Sequence, residues 1–361
     1  MKKHIAIVLG TRPEIIKLVE LITRLKSDDR VKTTVIFTGQ HYDYNLCQVF
    51  MDDLKLPKID KNLGISGTRK EQVKKMVSNI ISFIKENKVD VVVAEGDTNS
   101  VLAAALAAYY TKTKFAHVEA GLRSFDSRMP EEWNRVLSDN ISFYSFAPTE
   151  LAAKNLQKSK CYKGGIVLTG NTIVEAVQKN LEQAKKSEIL DKLNLQPGKY
   201  AVLTAHRQEY VDTKENLEQL IKALGRIDFE IIFPIHPRTE KMLKEFNLLE
   251  KLKGLKNLRI IEPVGYFDFL KLSSNSAFLL SDSGGIQEEA SVYKRYVIVM
   301  RDNTERPEIL GTFGELTGYN AEKIVDAVSR AVNSKGKLDN IPCPFGDGKA
   351  SERIANILVE K

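Results

Sequence analysis

Two doubly wound α/β sheets in tandem are what this sequence predicts, and three observations carry the prediction. Short β-rich apolar runs alternate with stretches of helical spacing, the order that builds parallel sheets. The pattern restarts after a turn cluster, Gln196-Pro197-Gly198-Lys199. At 361 residues, the chain is also longer than one ordinary core accommodates.

Composition narrows the class. With 43% hydrophobic and 28% charged residues the chain reads as globular. It has no apolar run of about 18 residues and its first residues go straight into a strand, so no membrane insertion and a cytoplasmic setting are expected. Three scattered cysteines, Cys47, Cys161 and Cys343, have no paired spacing, which argues against a disulfide framework and a zinc site. The net charge of +7 is spread among interspersed acids and bases. No basic stretch is laced with aromatics, so an anionic small molecule suits the charge and nucleic acid is not expected.

In chain order, residues 4–9 form a strand that runs into Gly10-Thr11-Arg12-Pro13-Glu14, with helical spacing beyond. Thr11 and Glu14 make a capping box there. A single glycine stands where a dinucleotide fingerprint needs three, so NAD is not expected. Arg12 and Lys17 are candidate anion or substrate contacts, or a surface arginine and a snorkelling lysine. A second strand, 34–38, ends in Gly39-Gln40-His41, and a helix carrying Val73, Met76, Val77, Ile80, Ile81 and Ile84 on one face follows.

The stretch 91–135 is the most informative. Two apolar runs, 91–94 and 115–118, each meet a carboxylate in a small-residue turn: Asp97 in GDT and Glu119 in EAG. An Ala-rich helix lies between, so a right-handed crossover puts both carboxylates at the carboxyl edge of one parallel sheet, where such sheets bind ligands. Glu131 and Glu132 follow Pro130 at a helix start, and Arg123 and Arg135 lie in the same segment. Each acid alone is as readily a cap or a first-turn decoration; the set points to a site.

Further strands are expected at 143–146 and 166–168, then a charged helical stretch over 175–195. In the second half, strands at 200–204, 230–235, 258–261, 277–282 and 297–300 each deliver polar groups at their carboxyl ends. The turn Ser283-Gly284-Gly285 before a helix makes an anion cradle, since free amides and the helix dipole face the charge. It lacks the lysine of a P-loop, so triphosphate hydrolysis is not implied. Arg301 and Arg306 are candidates for phosphate oxygens or for ion pairs with Asp302, Glu305 and Glu308. The simplest assembly of two such sheets faces their polar edges across a cleft.

The motifs GTRPEIIK, TGQHYDY, GDTNS, HVEAGLRSFDSRMPEEWNR, FAPTE, TGNTIVEA, SDSGGIQEEA, RDNTERPE and GDGKASERI span nearly the whole chain. In that order they resemble the non-hydrolysing UDP-N-acetylglucosamine 2-epimerases. The resemblance implies a GT-B fold of two Rossmann-like domains: 1–170 with the acid/base residues, and 171–345 for UDP, with the terminal helix 346–361 packing back on the first. It implies interconversion of UDP-GlcNAc and UDP-ManNAc as a homodimer, without metal or cofactor. The C2 proton is not next to a carbonyl, so loss of UDP to an acetamidoglucal and re-addition makes sense of acid/base groups around C2.

Carried over by motif, Asp97, Glu119 and Glu131 take the acid/base positions, and His206 is a further active-site position. Arg12, Lys17 and Arg135 fall on positions linked to substrate or catalysis. Uracil is expected near Phe269, and phosphates and ribose near Ser283, Gly284, Gly285 and Glu289 with Arg306 nearby; His236 is a weaker carry-over. Bacterial relatives usually spell HRREN where this chain has His206-Arg207-Gln208-Glu209-Tyr210, near the place where some bind a second UDP-GlcNAc as activator, so activation is not carried over. HPR at 236–238 and SFD at 124–126 are closer to archaeal-type spellings. Open alternatives are an epimerase of a modified UDP-HexNAc, a GT-B glycosyltransferase, a hydrolysing epimerase and a non-enzymic sugar-nucleotide sensor.

Overall fold

A computed structural model describes residues 2–39, 51, 53–159, 162–334 and 336–360. Gln40, His41, Cys47 and Cys161 lie outside the described residues. The chain divides into two compact units, residues 1–176 with 345–361 and residues 177–344. No helix among the described residues is long and apolar enough to cross a membrane.

Seven parallel strands make the sheet of the first unit, in the order β3-β2-β1-β4-β5-β6-β7. They are β1 (Lys3–Leu9), β2 (Val31–Phe37), β3 (Lys61–Asn62), β4 (Val91–Glu95), β5 (Lys114–Val118), β6 (Tyr144–Ala147) and β7 (Gly165–Leu168). The central strands are apolar because both faces are covered: Ile5, Ile7, Val91, Val92 and Val93 have no exposed surface. Each such side chain contributes about 1.5–3 kcal/mol on burial. Helix α1 (Arg12–Lys26) follows β1, helix α2 (Asn99–Thr111) follows β4, and helix α3 (Pro130–Ile141) follows the β5 turn. Ala103, Ala104, Ala105, Ala107 and Ala108 on α2 are all fully buried, since a helix of methyl groups can be packed on several sides.

The strand order reverses between β1 and β4, whose neighbours β2 and β5 lie on opposite sides. A crevice opens at such a switch point, and the turns after β1 and β4 flank it.

In the second unit, β8 (Tyr200–Thr204), β9 (Glu230–Pro234), β10 (Leu258–Ile261), β11 (Phe278–Ser281), β12 (Tyr296–Val299) and β13 (Gly314–Leu316) form a parallel sheet. Its order is β10-β9-β8-β11-β12-β13, which places a second switch point between β8 and β11. Helix α4 (Gly284–Val292) leaves β11. Both units are therefore Rossmann-like.

The terminal helix α5 (Ala350–Glu360) belongs to the first unit. Its Ser351 N–H donates to Glu175 Oε1 (2.9 Å) and its Arg353 to the Thr169 carbonyl (2.9 Å). Gly346 has φ +113, and a Cβ there would lie 3.1 Å from Gly170 Cα, so the two glycines permit a backbone-to-backbone approach. One expectation is corrected: the helical stretch 175–195 is two helices, Thr172–Ala184 and Ile189–Lys192. Ser187 marks the break, donating to Asp268 (2.5 Å) and accepting from the Ile189 N–H (3.2 Å), a local alternative to helix continuation.

Candidate active site

At the switch point of the first unit, three turns converge. After β1, Glu14 folds back to accept from Gly10 N–H (2.8 Å), Thr11 N–H (2.6 Å) and Thr11 Oγ1 (2.9 Å), and its other oxygen accepts from Thr98 Oγ1 (2.7 Å). The capping carboxylate thus also ties the first turn to the GDT turn. Its carboxyl is raised by burial, against which these hydrogen bonds act.

Lys17, one turn further along α1 and 6% exposed, hydrogen-bonds Glu119 Oε2. The same ammonium stands 3.1 Å from Glu95 Oε1. Glu119 also accepts from Asn171 Nδ2 (3.1 Å), and it holds a left-handed backbone with φ +66. A non-glycine residue there is strained, and such strain persists where the surroundings over-determine it.

Asp97 is partly exposed, and its Oδ2 pairs with the buried Arg135 guanidinium. Arg135 in turn bonds Glu132 Oε2 (3.0 Å), while Glu132 accepts from Ser124 N–H and Oγ (both 2.9 Å) and so pins the 122–126 loop. Of the two acids at the start of α3, Glu132 is structural. Glu131 stays partly exposed one helical turn from Arg135, on the same face. Arg12 is exposed at the first position of α1.

A buried brace holds these turns. His117 Nδ1 lies 2.7 Å from Asp139 Oδ1 and its Nε2 lies 2.8 Å from the Gly96 carbonyl oxygen. Asp139 Oδ2 also meets Arg123 at 2.6 Å and accepts from Gly121 N–H (3.3 Å). One imidazole–carboxylate pair therefore reaches the residue before Asp97 and the EAG turn that begins with Glu119. Gly121 is obligatory there, since a Cβ would stand 2.2 Å from the Ala152 carbonyl oxygen.

The second switch point is built differently. Asp282, fully buried after β11, accepts from the N–H groups of His206 and Arg207 (both 2.7 Å), and its Oδ1 lies 3.3 Å from His206 Nδ1. Ser283 stands at the N-cap position of α4 with no side-chain cap hydrogen bond, and the first turn offers the amides of Gly284 and Gly285. A Cβ on Gly284 would lie 2.8 Å from Arg306 Nη1 and 3.6 Å from Arg207 Nη2, so two guanidinium groups approach this helix start. Nothing stands within 4 Å of a Cβ on Gly285.

Arg306 is buried and bonds Glu288 Oε1 (2.8 Å), with Glu305 3.3 Å away. Burial acts to raise the Glu305 carboxyl, but Arg306 and Arg301 outweigh it and hold it well below the usual range. Glu289 is buried in α4 close to Tyr266, whose hydroxyl is raised first by burial and then by that carboxylate. A cavity of about 260 Å³ beside the helix start is lined by His206, His236, Phe269, Ser283 and Ile286 among others. The His206 and His236 rings are 5.5 Å apart.

Sequence-predicted residues thus fall into two clusters: Lys17 with Glu119 and Asp97 with Arg135 in one unit, and His206, His236, Phe269 and Ser283 around the cavity in the other. Sequence reasoning missed Glu95, His117, Asp282 and Arg207. A usable signal existed for Asp282, which ends a strand before small residues as Asp97 and Glu119 do.

Comparison with known proteins completes the description. The family model for UDP-N-acetylglucosamine 2-epimerase matches residues 23–359. The UDP-N-acetylglucosamine 2-epimerase of Methanocaldococcus jannaschii is 48% identical, with 98% of each chain covered. The one from Methanococcus maripaludis is 44% identical, again over 98% of each. The crystal structure of the M. jannaschii enzyme in complex with UDP-GlcNAc and UDP matches with a TM-score of 0.90, over 99% of this chain and 100% of that one. With its two Rossmann-like sheets and their strand-end turns, this chain belongs to the UDP-N-acetylglucosamine 2-epimerase family.

Proposed function

We propose that the protein interconverts UDP-GlcNAc and UDP-ManNAc without net hydrolysis, by eliminating UDP and adding it back. The C2 proton leaves to a base as the C1–O bond breaks, giving 2-acetamidoglucal and UDP. UDP then re-forms the C1–O bond while an acid returns a proton to the other face of C2. Electrons and atoms balance with no oxidant and no water consumed. Asp97, Glu119 and Glu131 serve as the acid/base set, with Lys17 and Arg135 fixing the first two.

The leaving diphosphate is received by the amides of Ser283, Gly284 and Gly285, with Arg306 in support, and uracil lies against Phe269 in the second-unit cavity. His206 assists, its backbone held by Asp282; Arg12, His236 and Glu289 contribute further substrate contacts. The protein acts in the cytoplasm, and as a homodimer; the dimer is supported by exposed Tyr109, Tyr110, Trp133 and Leu137 on α2 and α3.

The observation that carries this reading is the pair of strand-end carboxylates, Asp97 and Glu119, each engaged by its own buried cation at one sheet edge. Incubation with UDP-GlcNAc alone, followed by NMR, is the test. Epimerisation predicts UDP-ManNAc with no acceptor added. Free ManNAc would replace it with a hydrolysing enzyme, and turnover only with an added acceptor would make it a glycosyltransferase.

A further inference from the structure

Glu95 has no part in the chemistry above, yet it is the last residue of β4, 2% exposed and directly beside the proposed acid/base Glu119. In the β4–β5 register it is paired with Val118, so Glu119 is the next residue along. Its Oε1 approaches Lys17 Nζ at 3.1 Å but makes no hydrogen bond. Glu119 has the better geometry, accepting from both Lys17 and Asn171 on one oxygen.

The charged groups acting on Glu95 are Lys17 and Glu14 from α1 and Glu119 from the β5 turn. Glu95 therefore faces two further buried carboxyl groups, Glu14 and Glu119, and the Lys17 ammonium. Glu14 is supplied with four donors of its own, and Glu95 and Glu119 both reach Lys17. Glu95 and Glu119 lie within hydrogen-bonding range of each other, and two buried carboxylates that close repel when both are ionised, so such a pair retains a proton.

We propose that Glu95 is the positioning residue of Glu119: Glu95 keeps its proton and hydrogen-bonds Glu119, which is held as the ionised member oriented by Lys17. Burial raises the Glu95 carboxyl well above the usual range, Lys17 opposes this, and Glu119 and Glu14 add to the rise. The catalytic side of this inference rests on the epimerase reading; the protonation of Glu95 does not.

Glu95→Gln and Glu95→Ala test it in the full chain. A carboxyl raised on folding keeps a proton that the unfolded chain has released, so its presence makes stability fall as pH rises from the ordinary carboxylate range towards the folded pKa. Gln donates the same hydrogen bond without titrating. The difference in Tm, Glu95→Gln minus wild type, is therefore expected to grow as pH rises over that window. For turnover, Glu95→Ala is expected to lower kcat roughly 10–100-fold with KM little changed, as loss of a supporting residue does, and Glu95→Gln to recover most of it.

A Tm difference that stays flat with pH overturns the proposal, as does a Gln variant with the kcat of the Ala variant. Should Glu95→Gln not fold, infrared titration of the wild type against Glu95→Ala decides: a protonated-carboxyl band at neutral pH that the wild type shows and Glu95→Ala lacks supports it, and a band the two share, or no band, overturns it. Wild-type protein inert towards UDP-GlcNAc would sink the epimerase reading while leaving the Tm result to judge Glu95.

Discussion

The two switch points share a topology and differ in how they handle charge. In the first unit, acids and bases are matched within the protein: Lys17 with Glu119 and Glu95, Arg135 with Asp97 and Glu132. In the second, amides, a helix start and two guanidinium groups gather at Gly284 beside a cavity, with acids set to hold them there. The first arrangement suits groups that pass a proton and return to their starting charge. The second suits an anion that arrives, leaves and comes back.

The largest effect should come from breaking the first region alone. Asp97→Asn is expected to cut turnover about 10²–10⁴-fold, the usual range for a lost acid/base group, while UDP binding by calorimetry is nearly unchanged. Near-normal turnover would remove Asp97 from the chemistry, and loss of UDP binding would erase the contrast between the regions.

Gly284→Ala is the reciprocal break. A Cβ there would push the Arg306 guanidinium away from the helix start, and UDP affinity is expected to fall roughly 10–100-fold. Unchanged UDP affinity would show that the helix start is not the anion seat.

His117→Ala probes the brace rather than either site. Loss of the buried contacts to Asp139 and Gly96 should destabilise the fold by about 1–3 kcal/mol, measured by denaturant unfolding. A neutral result would mean that the GDT and EAG turns hold their shape without it.

The smallest effect concerns the terminal helix. Glu175 is pushed up to about 6 by burial, against an ordinary value of 4.5. Its folded form keeps a proton that the unfolded form has lost between those values, so stability should fall as pH rises through that window and level off above it. Glu175→Gln should flatten the pH dependence of Tm there; an unchanged profile would assign it to other groups.

These contrasts explain what was legible in the sequence. Asp97 and Glu119 were visible because each follows an apolar run and sits in a small-residue turn. The turn at Ser283 to Gly285 was visible for a similar reason, since two glycines between a strand and a helix suit an anion cradle as well as a plain tight turn. Glu95 was not, because it ends the same run that made β4 recognisable, and its partners arrive from α1 and β5 only on folding. His117 reads as one more residue of a strand until Asp139 closes on it from α3. Strand β13 is three residues long, too short for periodicity to register, and the break at Ser187 rests on a contact with the distant Asp268.

The central claim is that one unit moves the C2 proton while the other releases and recaptures UDP. UDP-GlcNAc carrying oxygen-18 in the sugar–phosphate bridge, incubated in deuterated water, tests both events at once by NMR. The account predicts UDP-ManNAc with deuterium at C2, and recovered substrate in which the label has spread from the bridge to the non-bridging phosphate positions. Deuterium at C2 with the label still wholly in the bridge would contradict it, because the proton would then have moved without UDP ever leaving.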